Sequence, residues 1–490
     1  MQYAYKIGQR EVSLTPDDDT VAFRAGRTAT ATLRRRLADH VADAVPVRGR
    51  GLTLLQLHES SSRDHVRGVI ADHRTARHHA PVFKVGGHHL VAGGEVLVRF
   101  RDGARVEPIL RKARLSTIDH LGNLYELAHA EGRPFDIARD LLEHPDVVWA
   151  EPHFTSVHHR PHLLAARSRS GRSRPEPPPA GYEIAHTRAT EAWAIQTGDP
   201  EVLVAVIDEG IQKTHPSLRS IVADTYDATK DRTRQRPNPW DFHGTACAGL
   251  AAAAPDSGPI RGFGGGCGLL CAKMGYTADA GSGALVTRTL WIARALDWAR
   301  RRGASVISCS WSAGSHSNAI VEAIADARTK GRDGRGCVVA FSAGNMGDDV
   351  DFPASTPGVL TVSACNQFDE PKTGTSPDGQ RFWASNFGPE VDLAAPGIWI
   401  STLDNQGRAG EGAGDFIHDF NGTSSSTPMV AGVAALALSA NPGLTEEELK
   451  SVLRETADKV GSVAYVDGRN DQMGWGRLNA AAAVTVAKGA

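Results

Sequence analysis

Residues 421–438 read NGTSSSTPMVAGVAALAL, and this stretch decides the fold. Gly422 permits a tight turn, Pro428 suits the opening turn of a helix, and the run from Val430 to Ala440 is apolar on every face. A helix without a polar face belongs inside a large domain. Ser424 stands at its amino end, in the positive field of the helix and beside backbone N–H groups free to bind an anion. That setting suits a nucleophile whose reaction generates an oxyanion. Taken alone, a serine in this place is more often a cap.

Two upstream segments complete the pattern. VLVAVIDEG, residues 202–210, is a continuous apolar strand that ends in Asp208. Strands of this kind lie in parallel sheets covered on both faces, and the carboxyl ends of such sheets carry the sites. DFHGTACAGLAAA, residues 241–253, then places His243 before a Gly-Thr step and a helix of small residues. Asp, His and Ser in this chain order is the subtilisin order of the serine-nucleophile triad. IDEG, HGTACAG and GTSSSTPMVAG also resemble, block by block, the sequences around the three residues in the subtilisin-like serine proteases. The resemblance covers roughly Tyr182 to Val486 and includes GWGRLNAAAAV, similar to the last helix of that family. It implies an α/β, three-layer catalytic domain with a mostly parallel sheet, preceded by one or two small α+β (ferredoxin-like) units.

In that family Ser424 would attack the scissile carbonyl, His243 would relay the proton, and Asp208 would hold the imidazole in one tautomer. Of the three consecutive serines, the family register selects Ser424 over Ser425 and Ser426. CVVAFSAGNMG, residues 337–347, ends a further apolar strand near Asn345, whose side-chain amide would join the backbone N–H of Ser424 in binding the oxyanion. Each residue has a bland alternative as a cap, a core histidine or a turn former. Their joint occurrence at strand ends and helix starts argues against all of these at once.

The same alignment assigns substrate-facing positions. Ser310, Trp311 and Ser312 would line a groove whose edge pairs with extended substrate, although the family usually has glycine where Ser312 stands. Residues 275–283, GYTADAGSG, resemble the opposite wall. In NMGDDVDFPAS, residues 345–355, Asp351 falls at the floor of the primary specificity pocket, where a carboxylate favours arginine or lysine. Glu209 would attract a second basic residue one position earlier. Alternatively, Asp348, Asp349 and Asp351 form a solvated acidic loop or hold a cation.

The first 158 residues contain a degenerate repeat. VIADHRTARHHAPVF, residues 69–83, matches DLLEHPDVVWAEPHF, residues 140–154, in layout, and each copy reads strand, helix, strand (LTLLQL or NLYEL), helix, strand. The second copy resembles the inhibitor-like propeptides of subtilases, which often close with a Glu-Pro pair. The expected organisation is a first unit over 1–86, a propeptide-like unit over 87–158, a linker rich in Arg, Ser and Pro over 159–181, and the peptidase domain over 182–490. The amino-terminal region would then be an intramolecular inhibitor, with self-cleavage between Arg167 and Arg174 in the exposed linker.

Composition bounds the rest. Lys plus Arg number 54 and Asp plus Glu 56, a net charge of -2, which argues against a nucleic-acid surface. The opening residues lack the apolar core of a signal peptide, and no run is apolar enough to cross a bilayer. Six scattered cysteines show no disulfide or zinc spacing, so a cytoplasmic protein with reduced thiols is expected. Cys247 shares a helix face with His243 and is either a reagent-sensitive thiol or a small buried hydrophobe. His78-His79, His88-His89 and His158-His159 read as solvated surface pairs. The chemistry requires no cofactor, and Asp256 resembles one position of a calcium-binding loop. The resulting expectation is a serine endopeptidase acting on proteins or peptides, self-processing and selective for Arg or Lys. The alternatives are a broad degradative protease and a binding or regulatory protein in which proteolysis is secondary.

Overall fold

The computed structural model describes residues 3–47, 52–73, 77–129, 132–160, 177–278, 283–412 and 414–490. The chain divides into two compact units. The first comprises Met1–His159, Thr277–Leu290 and Ala313–Ile320, and the second Arg160–Tyr276, Trp291–Ser312 and Val321–Ala490. Two segments that sequence order places in the peptidase domain thus belong to the first unit. The expected self-cleavage segment, Arg167 to Arg174, lies outside the described residues, as do residues 279–282 of the expected groove wall.

In the first unit, a hairpin of β1 (Ala4–Ile7) and β2 (Arg10–Ser13) leads into two copies of one motif. The first copy is β3 (Thr20–Arg24), α1 (Arg27–Arg36), β4 (Val41–Val47), β5 (Leu52–Leu57), α2 (Arg63–Ala71) and β6 (Arg77–Ala80). After β7 (Val82–Val85), the second is β8 (His88–Phe100), α3 (Val106–Lys112), β9 (Leu115–Leu121), β10 (Leu124–His129), α4 (Pro134–Leu142) and β11 (Val147–His158). The strands run β4-β5-β3-β6 in one sheet and β9-β10-β8-β11 in the other, the same order twice, and each copy has a strand, β4 or β9, that the sequence reading lacks. Each copy closes over its own core, Phe23, Leu33, Leu55, Val66 and Ile70 in the first and Val96, Val98, Leu127, Ala138 and Leu141 in the second. Val66 and Ile70 are one helical turn apart on α2, which buries that stripe and leaves the opposite face wet.

The second sheet extends beyond the repeat. Residues Thr155–His158 of β11 pair antiparallel with β16 (Leu285–Arg288), which explains why that segment joins the first unit. The Glu-Pro pair singled out in the sequence has a structural use here. Glu151 is fully buried and accepts from the backbone N of Asn318 at 2.8 Å, its Nδ2 at 2.9 Å and Ser317 Oγ at 2.5 Å. It thereby caps the amino end of α9 (Asn318–Lys330), where a carboxylate meets the helix dipole. Burial pushes its carboxyl up to about 7 against the pull of these hydrogen bonds.

The second unit is built on a seven-stranded parallel sheet in the order β13-β14-β12-β17-β18-β19-β20. Its strands are β12 (Leu203–Asp208), β13 (Val222–Asp227), β14 (Gly268–Lys273), β17 (Ala304–Cys309), β18 (Val338–Ser342), β19 (Leu360–Cys365) and β20 (Leu393–Pro396). The short β15 (Gly275–Thr277) follows β14, and β21 (Ile400–Leu403) and β22 (Phe416–Phe420) form a separate hairpin. Helices α5 (Tyr182–His186) and α6 (Ala189–Ile195) precede the sheet. Then come α7 (His243–Ala252), α8 (Thr289–Arg301), α10 (Thr423–Ala440), α11 (Glu446–Glu455) and α12 (Ala480–Gly489).

α10 is buried from Thr423 to Leu438, as its all-round apolar sequence predicts. It packs on α7 at backbone distance, because a Cβ at Gly432 would lie 2.6 Å from the Ala251 carbonyl oxygen. One local expectation differs. The helix begins at Thr423, so Pro428 lies in its second turn rather than its first. Proline has no N–H to return to the carbonyl four residues back, so that of Ser424 is left without its helical donor. Ser310 Oγ donates to it at 3.0 Å and the Cys247 thiol approaches it at 3.5 Å. The helix tolerates Pro428 because other side chains supply the missing donor.

Candidate active site

β12 lies between β14 and β17, so the chain leaves it toward one side of the sheet and later returns on the other. A crevice at the carboxyl ends of the strands is expected at such a switch. Asp208 is the last residue of β12, His243 the first of α7 and Ser424 the second of α10, while Asn345 follows the end of β18. All belong to the second unit.

His243 Nδ1 lies 3.1 Å and 3.0 Å from the two oxygens of Asp208, and both side chains are buried. Their approach depends on the glycine that follows His243. A Cβ at Gly244 would lie 2.3 Å from the Gly210 carbonyl oxygen and 3.1 Å from Asp208 Cβ, so α7 can press against the end of β12 only without one. Burial alone would raise the Asp208 carboxyl. His243, Arg160 and the hydrogen bonds outweigh it and hold the group below its ordinary range. An ionised Asp208 keeps the proton on Nδ1 and leaves Nε2 as the base. Nε2 has no hydrogen-bond partner among the described residues.

Ser424 Oγ donates to the Ser310 carbonyl at 3.3 Å. Catalytic hydrogen bonds are often long or misaligned in unliganded sites, so the resting hydroxyl has still to turn to the imidazole. Asn345 is oriented by Thr423, whose backbone N and Oγ1 donate to its Oδ1 at 2.8 Å and 3.0 Å. With the amide oxygen so occupied, the amide offers its N–H donors beside the start of α10.

Around this core sits a set of buried charges. Glu209 Oε1 accepts from the backbone N of His243 at 3.0 Å, and Oε2 accepts from Arg160 at 2.8 Å. Arg160 is 6 % exposed, and although burial opposes its charge, Glu209 and Asp208 keep it firmly protonated. Lys273 bridges Asp241 and the Glu209 carbonyl. Burial pushes Asp241 up to about 7 despite Lys273, with Glu209 adding to the rise. The sequence reading missed Arg160, which it placed inside the linker over 159–181. The signal lay in an arginine adjoining an acid-bearing triad strand only in space.

The substrate-facing assignments fare unevenly. Ser310 reaches Ser424, and Ser312 Oγ donates to Asp351 Oδ2 at 3.0 Å, so the structure brings those residues together. Trp311 does not line a groove with its side chain. It is 4 % exposed, donates from Nε1 to the Ile207 carbonyl at 2.7 Å and packs edge-on against Phe341. Its indole found a buried acceptor, which fixes the ring in the core.

Cys247 is also settled as a packing residue. Its Sγ is 3.7 Å from His243 Nδ1, and burial, then Asp208, push the thiol well above its usual range, which disfavours the reactive thiolate. Among the described residues, Asp208, His243 and Cys247 are the one group of three His, Cys or acidic side chains close enough to share an ion. Hydrogen bonding within the triad accounts for that closeness. Asp256 is exposed, in a left-handed turn with φ of 60°, and has Arg261 as a charged neighbour.

Comparison with known proteins agrees with this geometry. The model of the subtilase family matches residues 199–476, more than half of the chain. The chain belongs to that family. It is 34 % identical over 343 residues to a calcium-dependent protease of Nostoc sp., covering 62 % of this chain and 49 % of that protein. It is 31 % identical over 301 residues to thermitase of Thermoactinomyces vulgaris, covering 61 % of this chain and 93 % of thermitase. Among solved structures, fervidolysin from Fervidobacterium pennivorans, a keratinolytic enzyme related to subtilisin, matches with a TM-score of 0.59 at 20 % identity. That match covers 83 % of this chain and 64 % of fervidolysin, and shows likeness of fold. The chain spans about half the length of the calcium-dependent proteases it matches.

Proposed function

We propose that this chain is a serine endopeptidase that cleaves proteins or peptides through Ser424, His243 and Asp208, with Asn345 at the oxyanion. The observation that carries the reading is the buried Asp208–His243 pair, with both oxygens near 3 Å from Nδ1, beside a serine at the amino end of a buried helix. Ser424 adds to the substrate carbonyl while His243 Nε2 takes its proton. Nε2 then returns the proton to the leaving amine, and water repeats the sequence on the acyl-enzyme.

The preferred substrate carries arginine or lysine before the scissile bond. Asp351 beside Ser312 supports this, and so does Glu209, which already holds a buried arginine of the chain itself. The likeness of residues 87–158 to subtilase propeptides supports restraint by the chain's own amino-terminal region, relieved by self-cleavage in the linker. Relatives named calcium-dependent proteases support calcium in the surface loops, away from the reacting atoms. Six free, buried cysteines suit a reducing, cytoplasmic setting.

Mass spectrometry of the purified protein beside a Ser424→Ala variant tests these points together. Linker cleavage confined to the wild type, and library peptides cut after arginine, are the expected results. A linker cut equally in both proteins would refute self-processing, and no peptide cleavage by linker-cleaved protein would refute the activity.

A further inference from the structure

β19 ends at Cys365 and β20 begins at Leu393, and part of the loop between them is folded around a lysine. Lys372 is 1 % exposed. Its Nζ donates to the Thr373 carbonyl, to the Gln380 carbonyl at 2.7 Å and to Ser376 Oγ at 3.3 Å, so all three donors are used. Asp378, also buried, lies 3.6 Å from the ammonium. It accepts from the backbone N of Gln380 at 2.8 Å and from Ser376 Oγ. Burial pulls the Lys372 ammonium below its ordinary range, and Asp378 works against that pull. A buried ion pair is a poor source of net stability. Here its two members grip the backbone of one residue, Lys372 at the carbonyl of Gln380 and Asp378 at its N–H.

That grip presents the Gln380 side chain to the turn before the nucleophile. The buried amide accepts at Oε1 from Trp383 Nε1 at 2.7 Å and donates from Nε2 to Asn421 Oδ1 at 2.8 Å. Asn421 Oδ1 also accepts from the backbone N of Trp399 at 2.9 Å, and its Nδ2 donates to the Asp419 carbonyl at 2.6 Å. The directions are forced. An indole N–H and a backbone N–H can only donate, so Oε1 faces Trp383 and Oδ1 faces Trp399. Nε2 of Gln380 is then the group that meets Oδ1. A carboxylate in place of this amide would set oxygen against oxygen.

Asn421 opens the turn that carries Ser424. Gly422 follows at a φ of 114°, and its N–H donates to the Gly397 carbonyl at 2.9 Å. Thr423, next in the chain, orients Asn345. Trp399, whose backbone N–H Asn421 holds, has a φ of 57°, a costly value for a bulky side chain. Such a conformation persists only where the surroundings over-determine it. Asn421 supplies part of that constraint, and Gln380 fixes which way Asn421 points.

We propose that Gln380 is a positioning residue for the nucleophile: held by Lys372 and Asp378, it orients Asn421 and thereby fixes the turn on which Ser424 sits. The proposal rests on the endopeptidase reading. It adds to that reading a residue that acts through Asn421 rather than on substrate.

Steady-state peptide hydrolysis by the linker-cleaved protein tests it in Gln380→Glu, a change of polarity at almost constant shape. The expected result is a fall in kcat of roughly tenfold or more with KM within about twofold of wild type, since a misplacement of about 1 Å can cost about 100-fold. The rate at which a fluorophosphonate labels Ser424 should fall in step. A merely structural Gln380 would lower the urea midpoint and leave kcat of the folded protein alone. Unchanged kcat, a loss carried by KM, or labelling at the full rate would overturn the proposal. If Gln380→Glu does not fold, Gln380→Met serves instead, with similar reach and no donor for Asn421. A loss of about threefold or more in kcat at constant KM is expected there, and wild-type kcat would overturn the proposal. Failure of the endopeptidase reading would appear separately, as linker-cleaved wild type that neither hydrolyses peptides nor reacts with the fluorophosphonate.

Discussion

At the residue scale the account stands on four side chains that reach one crevice from two strand ends and two helix starts. His243→Ala or Ser424→Ala should abolish peptide hydrolysis with the fold intact, because the two act as one unit. Asn345→Ala should keep KM near the wild-type value and lower kcat by about 100- to 1000-fold, the backbone donor at Ser424 persisting. Wild-type kcat in Asn345→Ala would remove that residue from the oxyanion site. Asp351→Gly should move the cleavage preference from arginine toward apolar residues, read from a peptide library. An unchanged profile would leave Ser312–Asp351 a structural hydrogen bond. The triad and Asn345 were legible in the sequence because each lies in a run whose neighbours are dictated by its position. Gly244 follows His243 for lack of space, and small residues follow Ser424 for the same reason. Arg160 and the fate of Trp311 were not legible. One is set by a long-range ion pair and the other by a backbone acceptor on β12, and neither leaves a local pattern.

At the scale of elements, the fit between α7 and α10 controls the site. Gly432→Ala should destabilise the second unit by about 1–3 kcal/mol, since the new methyl meets the Ala251 carbonyl and the Gly264 N–H at sub-contact distance. Urea unfolding would measure it, and a shift in midpoint below the error of the fit would show that the helices can separate freely. The buried Glu183 on α5 gives a pH test. Its Oε2 has no hydrogen-bond partner among the described residues, and burial pushes the carboxyl from 4.5 to about 7. The folded form therefore binds more protons between those values, so stability falls as the pH rises through that window. Glu183→Gln should flatten this dependence, gaining about 1–3 kcal/mol at pH 8 and little at pH 5. Parallel curves for the two proteins would assign the slope elsewhere. Apolar runs announced the parallel strands and α10 correctly. The helix start was misjudged because Pro428 was read as an opening residue, when Ser310 and Cys247 compensate for its missing N–H.

At the scale of the whole chain, the repeat was visible as layout and the structure gives it a topology, one strand order used twice. What sequence order could not show is that Thr277–Leu290 and Ala313–Ile320 join the amino-terminal unit, since β16 pairs with β11 across a long separation in the chain. His88, His89 and His158, which the sequence reads as solvated, are buried for the same reason, as β8 and β11 become neighbours only across the ladder. The side chains of His78 and His79 lie outside the described residues. The central claim is that Ser424 is an activated nucleophile. A fluorophosphonate reports this directly, because it phosphonylates a serine only when a base and an oxyanion site act on it. The account predicts a single adduct, located by peptide mapping on Ser424, in linker-cleaved protein, and none in His243→Ala. Absence of labelling in both full-length and linker-cleaved protein, or an adduct on another serine, would contradict it.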